Sequence, residues 1–255
     1  MVSNFFEIFL LSIIQGVSEF LPISSAAHLI LVSNLYELKN QSLLIDISLH
    51  LGSLLAILYY FRTDIFDFNK NKNLFFKITI ATIPLIITGY LIYITDIIHF
   101  FRDIKIIAWA TLFFGILIYI ADKNKVVKKI ENDFTIVSVL VIGFFQVLAL
   151  IPGVSRAGIT ITAGRILGFN RTESTKISFY LSIPALIGAS TLGIKDLLKE
   201  EIEYSLFALI GVFLSFLFSL LTIKIFLNFI KKFSLTIFVI YRVFLAAILF
   251  YIIYF

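Results

Sequence analysis

Apolar residues fall into ten runs along the 255 residues, separated by charged or proline-containing breaks. The runs occupy residues 5–20, 24–36, 43–61, 74–95, 104–121, 134–150, 156–168, 175–194, 204–223 and 235–255. A helix that crosses the hydrocarbon core of a bilayer needs about 20 apolar residues. The third to fifth and the eighth to tenth runs meet that length and predict six transmembrane helices, whereas the other four are marginal or too short.

The four short runs form two pairs, each joined by a polar break that contains proline and no hydrophilic loop. Such pairs predict re-entrant helical hairpins, which enter the membrane and return to the same side. Irregular backbone at that depth is tolerated only where it is buried in protein or lines a water-filled cavity. The two breaks are therefore the places where a functional site is expected.

The two halves of the chain also resemble each other. QGVSEFLPISSAAH (residues 15–28) and QVLALIPGVSRAGIT (146–160) both run from Gln through apolar residues to Pro and then Ser. LHLGSLLAILYYF (49–61) and SIPALIGASTLGI (182–194) follow at similar distances. Chance similarity between apolar segments is the alternative interpretation.

A repeat of this kind has a topological consequence. Each half, about 1–122 and about 134–255, contains one hairpin and three transmembrane helices. Because three crossings are an odd number, the second half must be inverted relative to the first, as in many transporters. The predicted fold is a single all-α polytopic membrane domain over residues 1–255, built as an inverted repeat.

Composition agrees with a membrane protein: 60% of residues are hydrophobic, 15% are charged, and the mean hydropathy is +1.03. Soluble domains are nearer half apolar and a quarter charged. The absence of cysteine excludes disulfides and thiolate metal sites, and three histidines exclude a His-rich metal site. We expect no nucleic-acid partner despite the net charge of +5, and no cleavable signal peptide, because the N-terminus lacks a basic region.

The placement of Lys and Arg predicts the orientation. One face of the predicted topology carries thirteen of the 21 basic residues and the other carries five, a bias that assigns the first face to the cytoplasm and both termini to the outside. The thirteen are Arg62, Lys70, Lys72, Lys77, Lys123, Lys125, Lys128, Lys129, Arg171, Lys176, Lys224, Lys231 and Lys232. The five are Lys39, Arg102, Lys105, Lys195 and Lys199.

The first break carries Gln15, Glu19, Ser24, Ser25 and His28 within a strongly apolar region. Ionisable groups at membrane depth are costly, at least ~2.5–3.5 kcal/mol each, and they usually face a cavity and have a function. Gln15 and Glu19 are four residues apart on one helical face and offer oxygen ligands for Mg²⁺ or Ca²⁺. The hydroxyls beside His28 suggest a nucleophile with a proton partner.

The second break, IPGVSRAGIT (151–160), predicts an anion site. Pro152 and Gly153 interrupt the helix, and Ser155 caps the helix that restarts, as Ser24 does in the first break. A helix N-terminus next to Arg156 suits phosphate, with Thr160 one turn further along. Together the two breaks describe phosphoryl transfer.

Other interpretations of these residues exist. A Glu19–Arg156 ion pair could simply join the hairpins, and the hydroxyls could be helix caps or packing residues. His50 is interpreted as a packing residue, and Arg165 and Arg242 as cations near the phosphates or snorkelling to the interface. The Pro-Ser-Gly-His pattern of another lipid phosphatase class does not occur in the sequence.

At these two motifs the sequence resembles the bacterial undecaprenyl pyrophosphate phosphatases, also called bacitracin resistance proteins. The family motifs are (Glu/Gln)-x-x-x-Glu running into Ser-Ser…His, and Pro-Gly-x-Ser-Arg-Ser-x-x-Thr. The likeness extends to LHLGSLLAI, GRILGFNRTE and IYRVFLAAILF, and so covers nearly the whole chain. Ala157 stands where the second motif has Ser, and Ala26–Ala27 replace the more usual Thr-Gly.

The resemblance implies hydrolysis of undecaprenyl pyrophosphate to the monophosphate carrier lipid and inorganic phosphate, for peptidoglycan synthesis and bacitracin resistance. It implies a divalent cation, Mg²⁺ or Ca²⁺, a site open to the outer face of the cytoplasmic membrane, and competition with bacitracin for the lipid. The oligomeric state stays open, with a homodimer as one option. The expected catalytic residues are Glu19, Ser25, His28 and Arg156. The expected phosphate ligands are Ser24, Gly153, Ser155, Arg156 and Thr160, with Gln15 and Glu19 at the metal.

Ser25 is expected to attack the terminal phosphorus with His28 as its proton partner. Attack by His28 itself, or by a water that His28 activates, stays open. A transporter or flippase of a polyprenyl phosphate lipid is the alternative function, because inverted repeats with broken helices are also a transporter architecture.

Overall fold

The computed structural model describes residues 2–36, 43–95, 97–125, 127–197 and 203–255. Within these ranges the chain forms thirteen α-helices and one 3-10 turn, and no β-strand. The helices are α1 (Val2–Ser18), α2 (Ser25–Tyr36), α3 (Leu43–Tyr60), α4 (Arg62–Phe66), α5 (Phe68–Thr95), α6 (Ile98–Phe101), α7 (Ile104–Asp122), α8 (Ile130–Asp133), α9 (Ile136–Val147), α10 (Arg156–Ile166), α11 (Arg171–Leu197), α12 (Glu203–Ile230) and α13 (Thr236–Tyr254). The 3-10 turn, Leu148–Leu150, follows α9.

All ten predicted helical segments are confirmed, with differences at their ends. The largest are the start of α5, at Phe68 instead of residue 74, and the end of α12, at Ile230 instead of residue 223. Lysines ended both predicted segments, but Lys70 and Lys224 lie exposed on the surfaces of these helices. A lysine ends an apolar run without ending a helix, because its helix propensity is high and its ammonium group reaches water.

Four helices in the described part of the chain are long and apolar enough to cross a membrane: those at Lys70–Thr95, Ile104–Asp122, Leu206–Ile230 and Thr236–Tyr254. This confirms an all-α, multi-pass membrane protein. Two further predicted spans, α3 and α11, do not meet both requirements. α3 counts among the shorter apolar helices, over Ile45–Tyr60, and α11 carries hydroxyl residues such as Ser178 and Ser182, which are fully buried inside the protein.

Both short pairs form a helix, a break and a second helix, as predicted. α1 packs against α2, and α9 packs against α10. The second helices have only 12 and 11 residues, which corresponds to a rise of about 17–18 Å, well short of the ~30 Å hydrocarbon core. Their re-entrant course in the membrane stays a prediction.

The helices that frame the two breaks pack in corresponding ways. α1 and α3 both pack on α12, while α9 and α11 both pack on α5. Glycine allows the close approach: a Cβ atom at Gly16 would lie 2.5 Å from Phe218 Cβ, and one at Gly143 would lie 2.6 Å from the Ala81 carbonyl oxygen. An inverted repeat requires this correspondence, but the repeat, its two halves and the single domain over 1–255 remain predictions.

Candidate active site

Each break ends in a serine with unusual backbone geometry. Ser24 has φ 76° and Ser155 has φ 70°, and among the described residues they are the only non-glycine positions with positive φ. Ser155 Oγ accepts a hydrogen bond from the Gly158 N–H at 3.1 Å, and Ser24 Oγ accepts one from the Ala27 N–H at 3.4 Å. The predicted capping roles of both serines are confirmed. A left-handed serine carries strain of roughly 1–3 kcal/mol, which the surrounding contacts must offset.

The two breaks meet, as the sequence predicted. The Gly153 N–H donates to Ser24 Oγ at 3.2 Å, and Ser155 Oγ donates to the Leu21 carbonyl at 3.4 Å. Each left-handed serine thus bonds to the other hairpin. These contacts bring two segments about 130 residues apart into one site.

Arg242 on α13 stabilises both breaks from behind. Its side chain is fully buried and donates to five backbone carbonyls. The acceptors are those of Thr111 at 3.1 Å, Pro22 at 3.3 Å, Val154 at 2.9 Å, Ala110 at 3.4 Å and Gly153 at 2.8 Å. The expectation that Arg242 snorkels to the interface is wrong, because the freed carbonyls of both breaks hold its guanidinium group inside the protein.

A buried carboxylate organises the polar groups of the site. Glu19 Oε1 accepts from Arg156 Nη2 at 2.8 Å, and Glu19 Oε2 accepts from Ser25 Oγ at 2.9 Å and from Gln15 Nε2 at 3.0 Å. The Glu19 side chain is 7% exposed and that of Arg156 is 12% exposed. Arg156 also donates to the Ser178 carbonyl at 3.2 Å, and this second bond fixes the orientation of its guanidinium group.

Glu19, Ser25 and Arg156 line a cavity of about 220 Å³ between the breaks and helices α3, α5 and α11. Its polar lining residues are Ser18, Glu19, Ser24, Ser25, His50, Ser155 and Arg156. The structure therefore brings together Glu19, Ser24, Ser25, Ser155 and Arg156, as the sequence predicted. α2 and α10 both begin at this cavity, so the positive ends of two helix dipoles face it.

His50 is a lining residue that the sequence reasoning assigned to packing. Its Nδ1 lies 2.7 Å from the Asp46 carbonyl oxygen and must carry a proton to donate to it. Because Nδ1 is taken by this bond, Nε2 is the ring nitrogen that remains for a bound group. The rarity of an imidazole within an apolar segment was a usable signal, because ionisable groups at that depth usually have a function.

Four predicted site residues, Gln15, His28, Gly153 and Thr160, are not among those that line this cavity. His28 Nδ1 donates to the Ser24 carbonyl at 2.6 Å, its Nε2 accepts from the Tyr241 hydroxyl, and the two rings stack at 5.7 Å. Thr160 Oγ1 lies 2.8 Å from Ser178 Oγ and within hydrogen-bond distance of the Arg156 and Ala157 carbonyls of its own helix.

Gly153 has a structural constraint that explains the residue type. Its φ is +97°, and a Cβ atom there would lie 2.6 Å from the Ile107 carbonyl oxygen. Its N–H bonds to Ser24 and its carbonyl to Arg242, so both polar groups of Gly153 already have protein partners.

The side-chain oxygens of Glu19 and Gln15 are of the type that divalent cations such as Mg²⁺ prefer. No cluster of three or more His, Cys, Asp or Glu side chains occurs in the part of the chain that the structure describes. Gln15 Oε1, however, is buried next to Glu19 without a hydrogen-bond partner. Mg²⁺ commonly uses one or two protein oxygens and completes its shell with phosphate oxygens and water, so these residues fit such an ion.

Comparison with known proteins agrees with this geometry. A family model described as Bacitracin resistance protein BacA matches residues 8–248. The chain is 54% identical to a protein of Pelagibacter ubique (strain HTCC1062) over the full length of both, 36% identical to one of Jannaschia sp. (strain CCS1), and 39% identical to one of Campylobacter curvus (strain 525.92). The latter two alignments cover 98% and 96% of this chain and 99% and 98% of the relatives, and all three relatives are named undecaprenyl-diphosphatase. The chain therefore belongs to the bacitracin resistance protein BacA family.

Proposed function

We propose that this membrane protein hydrolyses undecaprenyl diphosphate to undecaprenyl phosphate and inorganic phosphate. This reaction recycles the carrier lipid for peptidoglycan synthesis and confers bacitracin resistance, with bacitracin competing for the same lipid. The observation that carries the proposal is the Ser25 hydroxyl, which bonds to buried Glu19 opposite Arg156 in one small cavity. The names of relatives that match over nearly the whole chain support it.

An apolar cavity adjoining the site suits the prenyl chain. It has a volume of about 490 Å³, lies between α5 and α11, and shares Leu85, Leu150, Ala185 and Ala189 with the polar cavity. A lipid with a diphosphate head could place its head next to Arg156 and its first isoprene units in this groove. Burial of the isoprene units there would contribute about 25 cal/mol of binding free energy per Å² of apolar surface removed from water, and it needs no charged partner.

Arg156 and the two helix N-termini would bind the diphosphate. A phosphate dianion is a stronger partner for a guanidinium fork than a single carboxylate oxygen, so substrate binding would draw Arg156 from Glu19. Ser24 and Ser155 hydroxyls stand on the same wall. Glu19 would then be free to accept the proton of Ser25.

In the first chemical step Ser25 Oγ attacks the terminal phosphorus and Glu19 accepts the hydroxyl proton. The bond between that phosphorus and the bridging oxygen breaks, and undecaprenyl phosphate leaves. Water then attacks the phosphoserine, inorganic phosphate leaves, and the Ser25 hydroxyl is restored with the proton from Glu19. Glu19 replaces His28 as the proposed proton partner of Ser25, because Ser25 Oγ bonds to the carboxylate while both ring nitrogens of His28 have other partners.

A divalent cation, Mg²⁺ or Ca²⁺, would be held by Glu19 and Gln15 together with the substrate's phosphate oxygens. When bound, it would neutralise charge that develops on the phosphates. Removal of divalent cations with a chelator should lower phosphate release, and Gln15→Glu should raise the affinity for the cation by adding a carboxylate.

We also propose the cytoplasmic (inner) membrane as the location, with both termini and the site open to the outside. Because the chain has no cysteine, a single introduced cysteine reports its own accessibility. The reagent is a membrane-impermeant maleimide, added to cells whose cytoplasmic membrane is intact and whose outer layers let the reagent through. It should label Phe255→Cys and should not label Lys231→Cys. The reverse pattern would overturn the orientation.

The decisive experiment is phosphate release from a polyprenyl diphosphate by the purified protein. Wild type with Mg²⁺ should release inorganic phosphate, and Arg156→Met should not. Transport of the intact lipid across vesicles without phosphate release would overturn the enzyme proposal in favour of a flippase.

A further inference from the structure

A second polar cavity lies at the other end of the helices, away from the proposed active site. Its volume is about 770 Å³ and it shares no lining residue with the catalytic cavity. It is located where α7, α10 and α12 end and where α11 and α13 begin. The predicted topology assigns this end to the cytoplasmic face.

The lining of this cavity is strongly basic. Five of its residues are cationic and one is anionic. The five cations are Lys123, Lys125, Arg165, Arg171 and Lys231, and the anion is Asp122.

Asp122 is already saturated with partners. Arg171 bonds to both of its carboxylate oxygens, at 2.7 and 2.9 Å, and the Leu235 N–H donates to it at 3.1 Å. Arg165 Nε lies 3.4 Å away in the same ion-pair cluster. No salt bridge joins Lys123, Lys125 or Lys231 to a carboxylate within the described ranges, so their positive charge is uncompensated.

Arg165 forms the buried side of the cavity, and hydrogen bonds hold it in place. Arg165 is 5% exposed and donates to the Phe169 carbonyl at 2.7 Å and to the Asp122 carbonyl at 3.0 Å. Its Nε is buried and makes no hydrogen bond, although it lies 3.4 Å from Asp122 Oδ1. The N-termini of α11 and α13 add positive dipole ends to the same space. Basic loops by themselves are expected at any cytoplasmic face. A concave site that combines a buried arginine with two helix N-termini is more specific, because both features bind anions.

An apolar surface leads from this cavity along α7. Tyr119 lines the cavity, and one and two turns before it Ile116 and Phe113 are exposed by 45% and 61%. A headgroup in the cavity would therefore leave its acyl chains against a lipid-facing helix surface. We infer that this cavity binds a phosphate-bearing anion, and that the α7 surface favours the headgroup of an anionic phospholipid over free phosphate.

Thermal unfolding of the purified full-length protein in detergent can measure this binding. Titration with phosphatidylglycerol should raise the apparent melting temperature until the site is saturated, whereas phosphatidylcholine should not. Removal of the three uncompensated lysines should raise the half-saturating concentration about 100-fold, since each lysine near an anionic lipid contributes about 1 kcal/mol and about 1.4 kcal/mol is a factor of ten. That variant is Lys123→Gln/Lys125→Gln/Lys231→Gln.

A matched variant removes three exposed lysines from the same face that do not line the cavity: Lys70→Gln/Lys72→Gln/Lys232→Gln. It should shift the half-saturating concentration by less than about twofold. Both variants should keep wild-type phosphate release, which reports that they fold. Equal losses in the two variants would mean diffuse surface electrostatics and would overturn the inference.

A separate titration with inorganic phosphate distinguishes the two sources of the anion. Protection by millimolar phosphate that depends on the cavity lysines would support the anion site with free phosphate as its ligand. Protection by phosphatidylglycerol alone would support the lipid headgroup. If neither ligand stabilises the wild-type protein, the inference fails.

Discussion

Arg242 provides the sharpest test of how the two breaks are held together. Arg242→Met removes the guanidinium group but keeps a long apolar stem of similar reach. Five backbone carbonyls lose a donor, among them those of Pro22 in the first break and of Gly153 and Val154 in the second. No carboxylate is among the hydrogen-bond partners of Arg242, so the carbonyl dipoles alone compensate its charge.

The expected loss of stability follows from these contacts. Five hydrogen bonds to a charged group, at about 1.5 kcal/mol each, correspond to roughly 7–8 kcal/mol. The substitution also removes the penalty of burying a cation, which is several kcal/mol, so about half of that loss is recovered. A net loss of about 3–4 kcal/mol remains, which for a chain of this size lowers the melting temperature by roughly 6–16 °C.

Activity should fall more than stability requires. Displacement of the backbone at Pro22 and Gly153 would move Ser24 and Ser155 in the cavity, and a misplacement of about 1 Å can lower a rate about 100-fold. We therefore expect kcat for phosphate release to fall about 10- to 100-fold at a temperature where the variant stays folded. KM should change less, because Arg242 does not line the cavity.

Two controls separate the guanidinium fork from its charge. Arg62→Met, at the exposed first residue of α4, should change neither quantity. Arg242→Lys keeps the charge but has three donors instead of five and a different geometry, so it should be as damaging as Arg242→Met. Melting of Arg242→Met within about 2 °C of wild type, or full rescue by lysine, would refute this reasoning.

Four further substitutions have distinct expected outcomes. Ser25→Ala should lower phosphate release at least about 10³-fold without lowering the melting temperature, and wild type should yield a trapped phosphoserine; a competent variant would refute the Ser25 nucleophile. His50→Ala should lower kcat about 10- to 100-fold with little change in KM, because the imidazole lines the cavity; unchanged kcat with a lower melting temperature would return His50 to a packing role. Thr160→Val should lower the melting temperature by several degrees through loss of the Ser178 hydrogen bond, while a large rise in KM instead would support the original phosphate-binding prediction. Gly143→Ala should destabilise the protein by about 1–3 kcal/mol, since its Cβ would meet the Ala81 carbonyl at 2.6 Å, whereas the matched Gly188→Ala, with no atom within 4 Å, should melt at or above the wild-type temperature.

The sequence predicted which residues form the site more fully than it predicted the hydrogen bonds between them. Glu19, Ser25 and Arg156 were identified because polar groups within apolar runs are rare and therefore informative. The proton partner of Ser25 was assigned to His28 from helical spacing. Spacing places residues on one face of a helix, but the left-handed turn at Ser24 changes the direction of the chain, so Glu19 lies beside Ser25 while His28 bonds to Tyr241.

Local pattern alone determined the class of the protein: apolar runs, their lengths and two polar breaks gave an all-α, multi-pass membrane protein with paired short helices. These features depend only on the transfer of side chains and backbone between water and lipid, which each segment satisfies by itself. Only the tertiary structure decided that Ser24 and Ser155 bond to opposite hairpins and that Arg242 joins both breaks. It also decided that His50 lies on the cavity wall. Those contacts link residues up to 220 positions apart, and long-range pairing leaves no periodic mark on the sequence.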